Sequence, residues 1–184
     1  MAHVCPVWIG HFLANPLRRR FQNPERILAP YISEGMTVLD VGCAMGFFSL
    51  PIAGAVGETG RVVCVDVQER MLELLKQRAE KEGIGNRIVR RKCNEKSLGI
   101  DDLEDQIDFA LAFAMVHEVP EKKGFFEAIY RALKPGAVLM VSEPLFHVSG
   151  KAFAETVTLA EKAGFTAQEP ESKIAGGRTI LLRK

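Results

Sequence analysis

The stretch Leu39-Asp40-Val41-Gly42-Cys43-Ala44-Met45-Gly46-Phe47-Phe48 decides how this chain is read. An apolar run from Met36 to Val41 leads into Gly42 and Gly46 and then an aromatic pair, the pattern of a strand turning tightly into a helix. Glycine in such a turn lets the backbone bend sharply and approach a ligand without a Cβ in the way, and the helix that follows presents free amide groups. A dinucleotide fingerprint needs small residues at 42, 44 and 47, and Phe47 does not fit the third of these. The spacing present is Asp40-x-Gly42-x-Ala44-x-Gly46.

Outward from that turn, short apolar runs alternate with helical patterns, which predicts a parallel sheet covered by helices on both faces. The runs are Met36 to Val41, Arg61 to Val67, Arg87 to Arg91, Ile107 to Phe113 and Ala137 to Glu143. Between the second and third, Met71, Leu72, Leu75 and Ala79 recur at helical spacing and Gly83 stops the helix. A second helix, over residues 121–136, places Phe125, Ile129 and Leu133 on one face, with Pro135 ending it and Gly136 turning the chain. After a further helix over 151–164, two short strands, 165–172 and 178–184, flank a Gly176-Gly177 turn and are expected to pair antiparallel. Asn23-Pro24-Glu25 reads as a helix start, with an N-cap, a proline at the first helical position and an early acid.

A chain of 184 residues, 47% of them hydrophobic, suits one domain with a substantial core. The reading takes 1–184 as a single domain, with 1–30 an amino-terminal lid or packing segment and 31–184 the core. A formal net charge of +1 gives no electrostatic reason to expect nucleic acid or an acidic membrane surface as partner. Cys5, Cys43, Cys64 and Cys93 have neither zinc-site nor disulfide spacing, so free thiols, no metal and a reducing cytoplasm are expected. No apolar run approaches the length of a membrane span and no cleavable leader is read at the amino terminus.

The turn and its surroundings resemble class I S-adenosylmethionine-dependent methyltransferases, whose first motif is [D/E]-x-G-x-G-x-G. Asp66 ends the second strand where that family keeps an acid that accepts hydrogen bonds from both ribose hydroxyls. Asn94-Glu95 follows the third strand, where the family often has an acidic or amide residue beside the adenine amino group. Asp108-Phe109 opens the fourth strand, and Leu133-Lys134-Pro135-Gly136 matches the turn before the fifth. The resemblance implies a Rossmann-like α/β fold with a seven-stranded, mostly parallel sheet, helices on both faces and a C-terminal antiparallel hairpin. It also implies S-adenosyl-L-methionine as cofactor, contacted by Asp40, Gly42, Cys43, Ala44, Gly46, Asp66, Val67, Asn94, Glu95 and Phe113. Ala44 stands where the family has glycine, and an alanine is tolerated there if its backbone angles stay in an ordinary region.

Methyl transfer is a displacement at an already activated sulfonium, so the protein has mainly to align a nucleophile and exclude water. After the fourth strand, methylases of bases or glutamine commonly carry an N-P-P or D-P-P signature, whereas this chain reads Ala112-Phe113-Ala114-Met115-Val116-His117-Glu118-Val119. With Ser142-Glu143-Pro144, that segment resembles the small-molecule branch similar to ubiquinone and menaquinone biosynthesis methyltransferases. The acceptor implied is a small molecule, with His117 and Glu118 as catalytic candidates and Glu143 and His147 as second candidates. A histidine there can take a proton from an acceptor hydroxyl, thiol or acidic carbon. Trp8, Phe12 and Leu13, followed by Arg18, Arg19 and Arg20, form the expected lid, or else pack on the body or on a partner subunit, which leaves a homodimer open. Two other readings stand beside this one: a non-catalytic protein that keeps the fold and binds the cofactor or serves a larger enzyme, and an RNA or protein methyltransferase.

Overall fold

The computed structural model describes residues 22–170 and 174–184, so the lid reading of Trp8, Phe12, Leu13 and Arg18 to Arg20 lies outside the described residues. Seven strands form one sheet: β1 (Thr37–Val41), β2 (Arg61–Asp66), β3 (Ile88–Lys92), β4 (Ile107–Phe113), β5 (Leu133–Pro144), β6 (Thr166–Gln168) and β7 (Gly177–Arg183). Among the described residues five α-helices accompany them: α1 (Pro24–Leu28), α2 (Ser49–Ala55), α3 (Glu69–Lys81), α4 (Lys122–Ala132) and α5 (Gly150–Lys162).

Strand order is β3-β2-β1-β4-β5-β7-β6. The first five strands are parallel, whereas β7 runs antiparallel to both β5 and β6. The expected α/β sheet with its C-terminal hairpin is therefore present, with the three-residue β6 as a short outer edge. Order reverses between β1 and β4, and in such sheets the crevice at the carboxyl ends of the reversing strands is the place for a ligand.

Side-chain alternation along the strands divides the core into two layers. Val38, Val62, Cys64, Phe109, Leu111 and Met140 face Leu28, Ile52, Leu72 and Leu75 from α1, α2 and α3. Leu39, Val41, Val63, Val65, Ala110 and Val141 face Phe125, Phe126, Ile129 and Ala160 from α4 and α5. Phe109 and Phe126 are fully buried, and each such side chain removed from water stabilises the fold by about 1.5 to 3 kcal/mol.

Local chemistry sets the element ends. The Asn23 side chain accepts the Arg26 amide at 2.9 Å with Pro24 in the first turn of α1, as the sequence predicts. Gly83, at φ +71°, follows the end of α3. The end of α4 corrects the sequence reading. The helix stops at Ala132, before Pro135, and Leu133 is already extended at φ −68° and ψ 140°. Proline disfavours helical angles at the preceding Lys134, and Leu133 pairs with Ile107. Strand β5 accordingly starts earlier than the apolar run at Ala137 indicates. Among the described residues no helix is long and apolar enough to cross a membrane.

Candidate functional site

A cavity of about 630 Å³ lies over the carboxyl ends of the parallel strands. Gly42 after β1, Asp66 and Val67 at the end of β2, Asn94 and Glu95 after β3, and Phe113, His117 and Glu118 after β4 all line it. The loops after β3 and β5 and one side of α4, from Gly124 to Arg131, complete its wall. Eight of the twelve residues predicted from sequence thus meet at one cavity, and the other four, Asp40, Cys43, Ala44 and Gly46, lie outside its lining.

Those four build the turn. Asp40 is 3% exposed and accepts the hydroxyl of Ser49, the first residue of α2, at 2.5 Å, which ties strand to helix across the loop. Burial pushes its carboxyl up to about 7; the Ser49 hydrogen bond opposes this and the charge of Asp66 adds to it. Cys43 is buried beside the α1–α3 layer, its amide donates to the Val65 carbonyl at 3.2 Å, and burial raises its thiol well above the ordinary range, which leaves it unreactive. Gly46 has φ +87°, and a Cβ there would stand 2.4 Å from Leu75 Cδ1, so its smallness serves the packing of the loop on α3.

Ala44 departs from the sequence reading. Its φ is +46°, in the left-handed region, so the condition of ordinary angles under which alanine is tolerated is not met. Its amide donates to Asp66 Oδ2 at 2.9 Å, and that bond holds the turn in the strained form. Ala114, just past β4, is also left-handed at φ +57°, so both alanines bordering the point of strand reversal carry backbone strain, as functional clefts often do. An L-residue pays about 1 to 2 kcal/mol for this conformation, whereas glycine brings a larger loss of chain freedom on folding worth about 0.5 to 1 kcal/mol. Ala44→Gly is therefore expected to stabilise the protein by about 0.5 to 1 kcal/mol, seen as a higher urea midpoint at unchanged slope. A lower midpoint would mean that the alanine methyl makes a contact worth more than the strain.

Asp66 is the polar centre of this wall. Oδ2 accepts the Ala44 amide at 2.9 Å and Oδ1 the Gln68 amide at 2.8 Å. Burial raises its carboxyl above the ordinary value, opposed by amide bonds from Gln68, Ala44 and Val67. A carboxylate has about four acceptor sites, so acceptor capacity remains for a ligand hydroxyl beside these amides. Asn94 Oδ1 is engaged by the amides of Lys96 and Ser97 at 2.9 and 3.0 Å, which leaves its two N–H donors for a ligand. At Gly42, φ is +70° and a Cβ would stand 2.8 Å from Met115 Cγ, so only glycine lets that side chain close over the loop. Phe48 and Phe113 bring their rings to 4.4 Å and supply an aromatic wall.

Across the cavity, the His117 imidazole meets Glu143 from β5, with Nδ1 at 2.5 Å from Oε2. Its backbone amide donates to Oε1 of the same carboxylate at 3.1 Å. Nε2 lies 3.9 Å from Glu118, and the His147 ring is 6.1 Å away, edge-on. From sequence Glu143 is only a second candidate, and nothing in the spacing pairs it with His117. The signal available was register: Phe113 sits opposite Ser142 in the parallel β4–β5 pair, so residues just beyond those two converge. In the sequence Phe48 and Met115 are only neighbours of the motif residues. Nothing in their spacing marked them as walls.

The chain matches a family model described as a methyltransferase domain over residues 32–173. It is similar to the ubiquinone/menaquinone biosynthesis C-methyltransferase of Escherichia fergusonii, 30% identical over 125 residues, which are 66% of this chain and 49% of that protein. The chain thus spans about half the length of the curated relatives it matches. Among solved structures it resembles a SAM-dependent methyltransferase from Aquifex aeolicus, with a TM-score of 0.86, 25% identity, and coverage of 98% of this chain and 99% of that one. The [4+2]-cyclase SpnF shares the fold at a TM-score of 0.67 and 20% identity, covering 80% of this chain and 58% of its own.

Proposed function

The chain belongs to the methyltransferase-domain family, and from that premise we propose that it is an S-adenosylmethionine-dependent methyltransferase acting on a small-molecule acceptor. The observation that carries this reading is Asp66, a mostly buried carboxylate at the cavity wall that is held in place by backbone amides and keeps acceptor capacity beside them. That arrangement fits a vicinal diol, such as the ribose hydroxyls of the cofactor. Asn94 N–H donors fit a purine ring nitrogen, and Val67 and Phe113 fit its apolar faces. When bound, S-adenosylmethionine supplies an electrophilic methyl group on a positively charged sulfur. Six carboxylates line the cavity, among them Asp66, Glu95 and Glu118, against the cations Lys96 and Arg131, a balance that favours a cationic ligand.

The same balance supports a small acceptor over RNA, because a polyanion requires neutralising lysines and arginines that this cavity has few of. His117 and Glu118 stand on the wall formed after β4 and serve to orient the acceptor and hold its proton, while the aromatic walls exclude water. The E. fergusonii relative is described as a C-methyltransferase; for this chain the acceptor class proposed is a small molecule with an ionisable hydroxyl, thiol or carbon acid. Calorimetry with S-adenosylmethionine and its demethylated product tests the reading directly. Saturable binding of both is expected, and binding of neither overturns it.

A further inference from the structure

His117 is held twice by one carboxylate. Glu143 is 2% exposed, and its two oxygens take the imidazole Nδ1 at 2.5 Å and the His117 backbone amide at 3.1 Å. A buried carboxylate that also accepts the backbone amide cannot swing away without leaving that donor unpaired, so the contact is fixed in geometry. An acceptor-only carboxylate against Nδ1 requires the proton of a neutral imidazole to sit on Nδ1, which leaves the lone pair on Nε2. Both His117 and Glu118 line the large cavity, and Nε2 is the atom on the Glu118 side.

We propose that Glu143 is the positioning residue for His117, locking the tautomer in which Nε2 is the proton acceptor at the methyl-acceptor end of the cavity. The proposal rests on the methyltransferase reading for the identity of the step and on geometry alone for the pairing. The step is a proton transfer: the O–H, S–H or C–H bond of the acceptor gives its proton to the Nε2 lone pair and keeps its electron pair on the acceptor atom. The imidazolium formed is stabilised by Glu143 and returns the Nε2 proton to water after turnover.

The charged and titratable groups around the ring come from four elements. Glu143 is on β5, Glu118 on the turn that carries His117, Lys122 at the start of α4, and His147 on the loop after β5. Glu155 of α5 lines the far side of a smaller cavity of about 220 Å³ that His117 and Glu143 share. The hydrogen bond from Glu143 raises the His117 imidazole above its ordinary value; burial opposes it, the charges of Glu143 and Glu118 add to it, and Lys122 opposes it. The base form is thus favoured only as pH rises through that elevated value, and removing the carboxylate charge moves the transition to lower pH.

Nitrogen-15 NMR of the uniformly labelled full chain reads the tautomer and the titration midpoint of each of the four histidines, with His117→Ala assigning the signal. The expected result is a neutral His117 protonated on Nδ1 and a midpoint that falls in Glu143→Gln, which keeps an acceptor for the backbone amide. Once an acceptor is in hand, the acid limb of the kcat profile should move in the same direction, with kcat lower by a factor between about 10 and the 100 to 10,000 that general-base catalysis supplies. A neutral His117 protonated on Nε2, or a midpoint unchanged in Glu143→Gln, overturns the proposal. Should Glu143→Gln unfold, Glu143→Asp retains the charge at shorter reach, and its His117 must then keep a raised midpoint. S-adenosylmethionine affinity measured on the same samples separates the two ideas. Wild type that does not bind it defeats the methyltransferase reading, whereas normal binding with an unshifted His117 defeats the pairing alone.

Discussion

Asp66→Ala is expected to weaken S-adenosylmethionine binding by a factor of about 30 to 1,000, because two charge-assisted hydrogen bonds worth about 2 to 4 kcal/mol together disappear. The residue acts twice. Its free acceptor sites face the cavity, while its engaged ones hold the Ala44 and Gln68 amides and so fix the loop after β1 and the chain after β2. Loss of the carboxylate also releases Ala44 from its left-handed conformation, so part of the loss comes from a loop free to relax away from the ligand. Asp66→Asn separates the two roles. The amide oxygen can still accept the Ala44 N–H, but the side chain offers one acceptor atom where the carboxylate offers two, so an intermediate loss is expected. Calorimetry on both variants, with urea unfolding to show that the fold persists, checks this. Near wild-type affinity in Asp66→Ala would remove Asp66 from the site.

Much of this architecture is legible in the chain because the central parallel strands, buried on both faces, are short apolar runs, and the first and fifth end at Gly42 and Pro144. The succession of β1 to β5 along the chain and the terminal hairpin follow from that pattern, whereas the convergence of Gly42, Asp66, Asn94 and His117 at one cavity is implied by the family resemblance. What the pattern does not carry is the direction in which each residue of a tight turn faces. Asp40, Cys43 and Gly46 lie within the motif, yet their surroundings are Ser49, the core layer and Leu75, all set by how α2 and α3 pack. The angle of Ala44 was illegible for a related reason. Alanine has no intrinsic preference for φ +46°, and only the long-range bond to Asp66, across 22 positions in sequence, imposes it. The end of α4 was misplaced because Phe125, Ile129 and Leu133 keep helical spacing through Leu133, while pairing with Ile107 claims that last residue for the sheet.

His117→Ala is expected to lower turnover about 100-fold to 10,000-fold while leaving S-adenosylmethionine affinity nearly unchanged. The separation follows from position: Asp66 and Asn94 stand after β2 and β3, whereas His117 stands after β4 and takes its fixed bonds from β5. Interactions made mainly with the acceptor in the transition state lower kcat when lost and spare cofactor binding. Truncation also leaves Glu143 buried without its imidazole partner, a penalty of about 1 to 3 kcal/mol or more for a charged group. His117→Ala should therefore unfold at lower urea concentration than wild type, and turnover must be compared at temperatures where both remain folded. His117→Gln sharpens the comparison. Its amide can donate to Glu143 and preserve the packing, yet it has no titrating nitrogen, so stability should recover while turnover stays low. Recovery of both in His117→Gln would mean that the side chain orients the acceptor by hydrogen bonding without taking its proton. Full turnover in His117→Ala would leave alignment and desolvation as the whole of the catalysis.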